Sequence, residues 1–136
     1  MRSNLSLFRG LISENTQMAA VVKANAYGHG IAEVVRAASD HVDWFAVHTA
    51  AEAEQIRRLG VDHPILIMGL VTPADEPLLD ERTHVFVSCP EVLEVLGSLK
   101  QKRGIAVPVH LKIDTGTNRQ GISEDAIPKM CQTAAG

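Results

Sequence analysis

Apolar residues follow two alternating rhythms along this chain. Short runs rich in Val, Ile and Leu recur at residues 18–24, 44–48, 64–68, 84–88 and 107–114. Most are apolar throughout, which predicts strands covered on both faces. Between them, residues 4–15 place Leu5, Phe8 and Ile12 on one helical face, and residues 31–40 gather Ile31, Val34, Val35 and Ala38. Further helices are predicted over 50–59, 73–80 and 90–102. Their starts are marked. Thr49 with Glu52 and Ser88 with Glu91 have the capping-box spacing. Thr72 precedes Pro73 as a cap precedes a first-turn proline. Gly60 and Gly104 suit helix ends.

Strands alternating with helices of this size imply an α/β fold with a parallel sheet and helical crossovers. Periodicity leaves two architectures open: a doubly wound open sheet, or part of a (β/α)8 barrel. Both place chemistry at the carboxyl ends of the strands. The residues there are 23–30, His48, Gly69, Ser88 and 114–121.

Composition narrows the function. A net charge of −3 over 136 residues leaves no excess of Lys and Arg to neutralise phosphates, which argues against a general nucleic-acid binder. No apolar run reaches the length of a membrane span, and the first residues show no signal-peptide pattern, so the expected location is the cytoplasm. Cys89 and Cys131 form no CxxC pair and are expected to be reduced structural thiols. The histidines show no metal-ligand spacing. His29 and His48 fall at strand ends and could line a site; His41, His63 and His84 are expected in loops or on the surface.

Two segments carry candidate chemistry. In Val21-Val22-Lys23-Ala24-Asn25-Ala26-Tyr27-Gly28-His29-Gly30 a lysine is expected inside an apolar strand, where burying an ammonium without a partner is costly. A desolvated lysine loses basicity and becomes a better nucleophile toward an aldehyde, as Schiff-base formation requires. The glycines permit close backbone approach to a ligand, and the next helix N-terminus favours a phosphate. The residues alone leave open a lysine that snorkels to solvent. In the second segment, strand alternation puts His110, Lys112 and Asp114 on one face and Val109, Leu111 and Ile113 on the other. Arg119 follows in the loop, where a guanidinium could clamp a carboxylate or a phenolate oxygen. A structural Lys–Asp pair with a solvent-facing arginine is the alternative.

Together, Val21 to Gly30 and Lys112-Ile113-Asp114-Thr115-Gly116-Thr117-Asn118-Arg119-Gln120-Gly121 resemble the two signature segments of bacterial alanine racemases. The family usually has Met at position 117 and often Leu at position 120; neither change touches a charged position. The resemblance implies a partial, incomplete (β/α)8 TIM-like barrel of about five parallel strands. It implies pyridoxal 5'-phosphate as cofactor, with Lys23 as its Schiff-base lysine and as one catalytic base. Tyr27 would bind the cofactor phosphate. Arg119 would contact the substrate carboxylate and the cofactor's phenolic oxygen. Lys112 stands where some members carry a carbamylated lysine that orients this arginine.

The same resemblance implies interconversion of L- and D-alanine, which supplies D-alanine for peptidoglycan, and a homodimer for the full-length protein. A complete barrel needs about 250 residues, so residues 1–136 are expected to be its N-terminal fragment, without the family's C-terminal β domain and inactive alone. A short segment before the first helix is also expected to be missing. Another or a broad-specificity amino-acid racemase, and a non-catalytic cofactor-binding or inert remnant, are the alternatives.

Overall fold

The computed structural model describes residues 1–135. Strands β1 (Ala19–Val21), β2 (Trp44–Val47), β3 (Ile65–Ile67), β4 (Thr83–Val87) and β5 (Val109–Leu111) form one parallel sheet, side by side in chain order. The helices are α1 (Arg2–Leu11), α2 (Lys23–Tyr27), α3 (Ile31–Ala38), α4 (Ala50–Arg57), α5 (Pro90–Arg103) and α6 (Ile127–Ala135). Turns of 3₁₀ helix cover Pro73–Leu78 and Glu124–Ala126.

Chain order decides between the two architectures. Right-handed crossovers that always step in one direction put every connecting helix on the same face of the sheet. A doubly wound sheet reverses direction; this one does not. Burial agrees. Phe45, Val47, Ile65, Ile67, Val85 and Val87 are completely buried against the helix layer, which contributes Val35, Ile56 and Leu99. On the other face Leu66, Met68 and Phe86 are half-buried, while Val21 and His110 are exposed. Most of the strands are apolar throughout, as read from the sequence, yet the helices cover only one face. The sheet is an unclosed arc, and five strands cannot complete an eight-stranded barrel.

The open face carries one aromatic cluster. The His84 Nδ1 and His110 Nε2 atoms lie 3.0 Å apart across β4 and β5. Trp44 meets His84 edge-on at 4.4 Å between ring centres. Burial and the neighbouring His110 lower the His84 pKa. His84 is therefore a half-buried group of β4 rather than a loop or surface one, while His63 lies in the α4–β3 loop as expected, edge-on to Phe45 and 3.0 Å from the Ser39 carbonyl oxygen.

Element ends differ from the sequence reading for local reasons. α1 stops at Leu11, because Ile12 is already extended, so Ile12 leaves the predicted face and Phe8 is exposed. Only Leu5 of that face packs on the core. The Thr49–Glu52 capping box forms in full. At Thr72 the Asp75 carboxylate accepts the backbone N–H at 2.8 Å. The Ser88–Glu91 box does not form: Cys89 takes the cap position and Pro90 begins α5, one residue later than the spacing implied.

The amino end of the sheet is tied by two arginines. Arg57, on α4, donates to the Asp80 carboxylate (3.0 Å) and to the carbonyls of Val61 (3.0 Å), His63 (2.7 Å) and Arg82 (3.1 Å). Burial pushes the Asp80 carboxyl up, but the Thr83 hydroxyl and Arg57 outweigh it and hold the pKa below the usual range. Arg9 and the Met18 N–H do the same for Asp43.

Arg57→Ala removes one donor each from the Asp80 carboxylate and three carbonyls and is expected to cost about 2–3 kcal/mol in urea denaturation. Phe45→Ala empties a fully buried ring site and should cost about 3–5 kcal/mol by the same measurement. Both aspartates have depressed pKa values in the fold. Their stabilisation is therefore complete above the ordinary carboxylate pKa of about 3.9 and is lost as pH falls through the lower folded-state values. Asp80→Asn should flatten that acid limb in a series of denaturation curves across pH.

Candidate functional site

The sheet's carboxyl end holds the candidate residues. Val22, just past β1, is buried, and its N–H donates to the Ala46 carbonyl of β2 at 2.8 Å. Lys23 follows, half-buried, as the first residue of α2. It therefore stands at the strand's end and not within it. The strand ends here because the next four residues turn left-handed: Ala24, Asn25, Ala26 and Tyr27 have φ of 53°, 53°, 53° and 56°. This conformation costs L-residues about 1–2 kcal/mol each, and such strain collects at functional sites.

Packing and hydrogen bonds hold the turn. Ala26 is buried and donates its N–H to the Val22 carbonyl at 2.9 Å. Asn25 Oδ1 accepts the Ile31 N–H at 2.9 Å, at the start of α3. Glu52 Oε1 accepts the Ala24 N–H at 2.7 Å, while Oε2 accepts the N–H groups of His48 (2.8 Å) and Thr49 (3.1 Å). Burial raises the Glu52 pKa, but these three donors outweigh it and the net shift is downward. Tyr27 is largely exposed, and His29 is exposed in the following loop.

At the far side of the same end, the segment after β5 folds back on itself. Asp114 N–H donates to the Ile122 carbonyl (3.0 Å), and Ile122 N–H donates to the Lys112 carbonyl (2.8 Å). Asp114 Oδ1 accepts the N–H groups of Gly116 (2.9 Å) and Asn118 (3.1 Å), which lowers its pKa. It is thus engaged in the turn, and no Lys112–Asp114 ion pair forms among the described residues. Gly121 closes the loop at φ +148°, and a Cβ there would collide with the Asp114 backbone.

Arg119, exposed and in no ion pair among the described residues, lines a depression of about 640 Å³ with His48, Gly69, Leu70, Ser88 and Gln120. Gly69 lets the ends of β2 and β3 meet: a Cβ would strike the His48 carbonyl and ring. Half-buried Lys112 reaches Gln120 Oε1 at 3.4 Å, and Gln120 Nε2 reaches Ser88 Oγ at 3.3 Å. Burial and the adjacent Glu91 raise the pKa of Cys89, which also borders the depression; Cys89 and Cys131 are free thiols.

The structure thus brings His48, Arg119 and, through Gln120, Lys112 to one place. Lys23 does not line that depression. Glu52 connects the two, contacting Ala24 on one side and His48 on the other. Spacing shows Glu52 as half of a capping box, and its bond to Ala24 is not legible from local pattern because it spans 28 residues. Gln120 was seen only as a departure from the usual leucine.

The chain is similar to known proteins along its whole length. The alanine racemase N-terminal domain family matches residues 1–136. An alanine racemase of Synechocystis sp. is 36% identical over 121 residues, covering 87% of this chain and 32% of that protein. The alanine racemase of Clostridium difficile 630, in complex with cycloserine, superposes with a TM-score of 0.89 at 29% identity, over 97% of this chain and 37% of its own. A histidine racemase of Leuconostoc mesenteroides subsp. sake gives a TM-score of 0.82 at 29% identity, over 97% and 37%. The chain spans about a third of the length of these relatives. With the whole chain matched, and its sheet an unclosed arc of the TIM-barrel type, this protein belongs to the alanine racemase N-terminal domain family.

Proposed function

We propose that residues 1–136 form the cofactor-lysine portion of a pyridoxal-phosphate-dependent alanine racemase. The observation that carries this reading is the position of Lys23: a half-buried amine at the carboxyl end of the first parallel strand, held by a strained turn, with Arg119 at the same end of the sheet. The available groups suit this cofactor: an amine for its aldehyde, a phenol at Tyr27, and a guanidinium at Arg119.

When bound, pyridoxal phosphate withdraws electrons and so acidifies the substrate Cα–H. Lys23 would hold the cofactor and would move the proton at that carbon from one face. Tyr27 would donate to the phosphate. Arg119 would receive the substrate carboxylate and the phenolic oxygen. Lys112, linked through Gln120 to the arginine's loop, helps set its position. Racemisation also needs an acid or base on the opposite face. The family resemblance assigns that group to a tyrosine of a further domain, supplied across a homodimer in the full-length protein. The product would be D-alanine for peptidoglycan, made in the cytoplasm. Among the described residues no helix is long and apolar enough to cross a membrane.

The histidine racemase neighbour favours one second reading, a racemase for another amino acid. A cofactor-binding remnant without turnover is a third outcome of the test below.

Mixing the chain with pyridoxal phosphate and reducing with borohydride should label Lys23, as located by mass spectrometry, and Lys23→Ala should abolish that label. Equal labelling of Lys100, Lys102 and Lys129 would refute the cofactor site. The unreduced mixture should racemise alanine no faster than free pyridoxal phosphate; robust turnover would show that the opposite-face group is already present.

A further inference from the structure

We infer that Glu52 is a positioning residue for Lys23, a proposal that deepens the cofactor-lysine reading and rests on it. A capping box needs only the exchange between Thr49 and Glu52. Here the same carboxylate also accepts the N–H groups of His48 and Ala24. The Ala24 bond is the shortest of the three, at 2.7 Å, and the only one that leaves the β2–α4 junction.

Ala24 is the first residue of the left-handed turn. The leading N–H groups of a helical turn have no partner within it, so without Glu52 this donor, on an exposed residue, would be left to water and the strained segment would lose its tie to α4. The consequence falls on Lys23. Its preceding neighbour Val22 is buried and bonded to Ala46 of β2, and its following neighbour Ala24 is bonded to Glu52 of α4. The peptide unit after the lysine is therefore fixed to Glu52 of α4, and the one that enters Val22 is fixed to Ala46 of β2, so the backbone on both sides of the lysine is tied to the same β2–α4 unit, which restricts the direction in which its side chain leaves the backbone. The same unit carries His48 into the depression beside Arg119. One carboxylate thus sets the amine's position relative to the far side of the site.

The deciding comparison uses the full chain in three forms: wild type, Glu52→Asp and Thr49→Val. Asp75 shows that an aspartate at this spacing still accepts the N–H of its capping threonine, so Glu52→Asp keeps the cap but falls short of Ala24. Three quantities are read: hydrogen exchange of the Ala24 amide, the share of borohydride-trapped label on Lys23, and Tm. In Glu52→Asp, Ala24 exchange should quicken about tenfold, and label on Lys23 should fall by a similar factor while Tm stays near wild type. Thr49→Val should lower Tm and leave exchange and labelling alone.

Retained protection of Ala24 in Glu52→Asp overturns the inference. So does lost protection with undiminished labelling, or an equal loss of label in Thr49→Val. If the wild-type chain shows no preference for Lys23, the cofactor reading fails instead, and Ala24 exchange alone decides whether Glu52 anchors the turn.

Discussion

Same-handed crossovers between parallel strands laid down in chain order govern this structure. Because every connection steps the same way, the crossover helices α3, α4 and α5 collect on one face. That face buries Phe45, Val47, Ile65, Ile67, Val85 and Val87 and forms the single core. The other face is left as an arc of Val21, Leu66, Met68, Phe86 and His110. The carboxyl ends of all five strands point one way, so any groups placed just beyond them become neighbours without further design.

The two ends of the sheet are built differently. At the amino end, Arg57 and Arg9 satisfy carboxylates and loop carbonyls, and the arrangement is closed upon itself. At the carboxyl end, Arg119 has no carboxylate partner among the described residues, and four successive residues sit in a conformation that they do not favour. Satisfied charge marks the stabilising end, while strain and an unpaired guanidinium mark the end suited to a ligand.

Much of the fold was legible because it depends on local pattern. Each apolar run became a strand, and Thr49 with Glu52 capped α4. Strand order was not legible, since periodicity is the same for an open sheet and a barrel arc; the register Phe45–Ile65–Thr83 resolves it. The carboxyl end of β1 is not legible because nothing in Ala24 or Ala26 announces a positive φ: alanine prefers a right-handed helix, and the turn is held by the burial of Ala26, the Asn25–Ile31 bond and Glu52 arriving from elsewhere. The candidate residues Lys23, Lys112 and Arg119 were visible through their motifs. What joins them was not, because Glu52–Ala24 and Gln120–Ser88 are contacts made across 28 and 32 residues.

The chain's only tryptophan, Trp44, lies on the uncovered side of the sheet, edge-on to His84 and near His110. An indole beside a titratable ring pair emits according to its wetting and to the charge of its neighbours. This protein therefore carries an intrinsic optical reporter on the surface that a completed barrel would enclose, and any strand or domain that comes to cover the arc would announce itself in the colour and intensity of that emission.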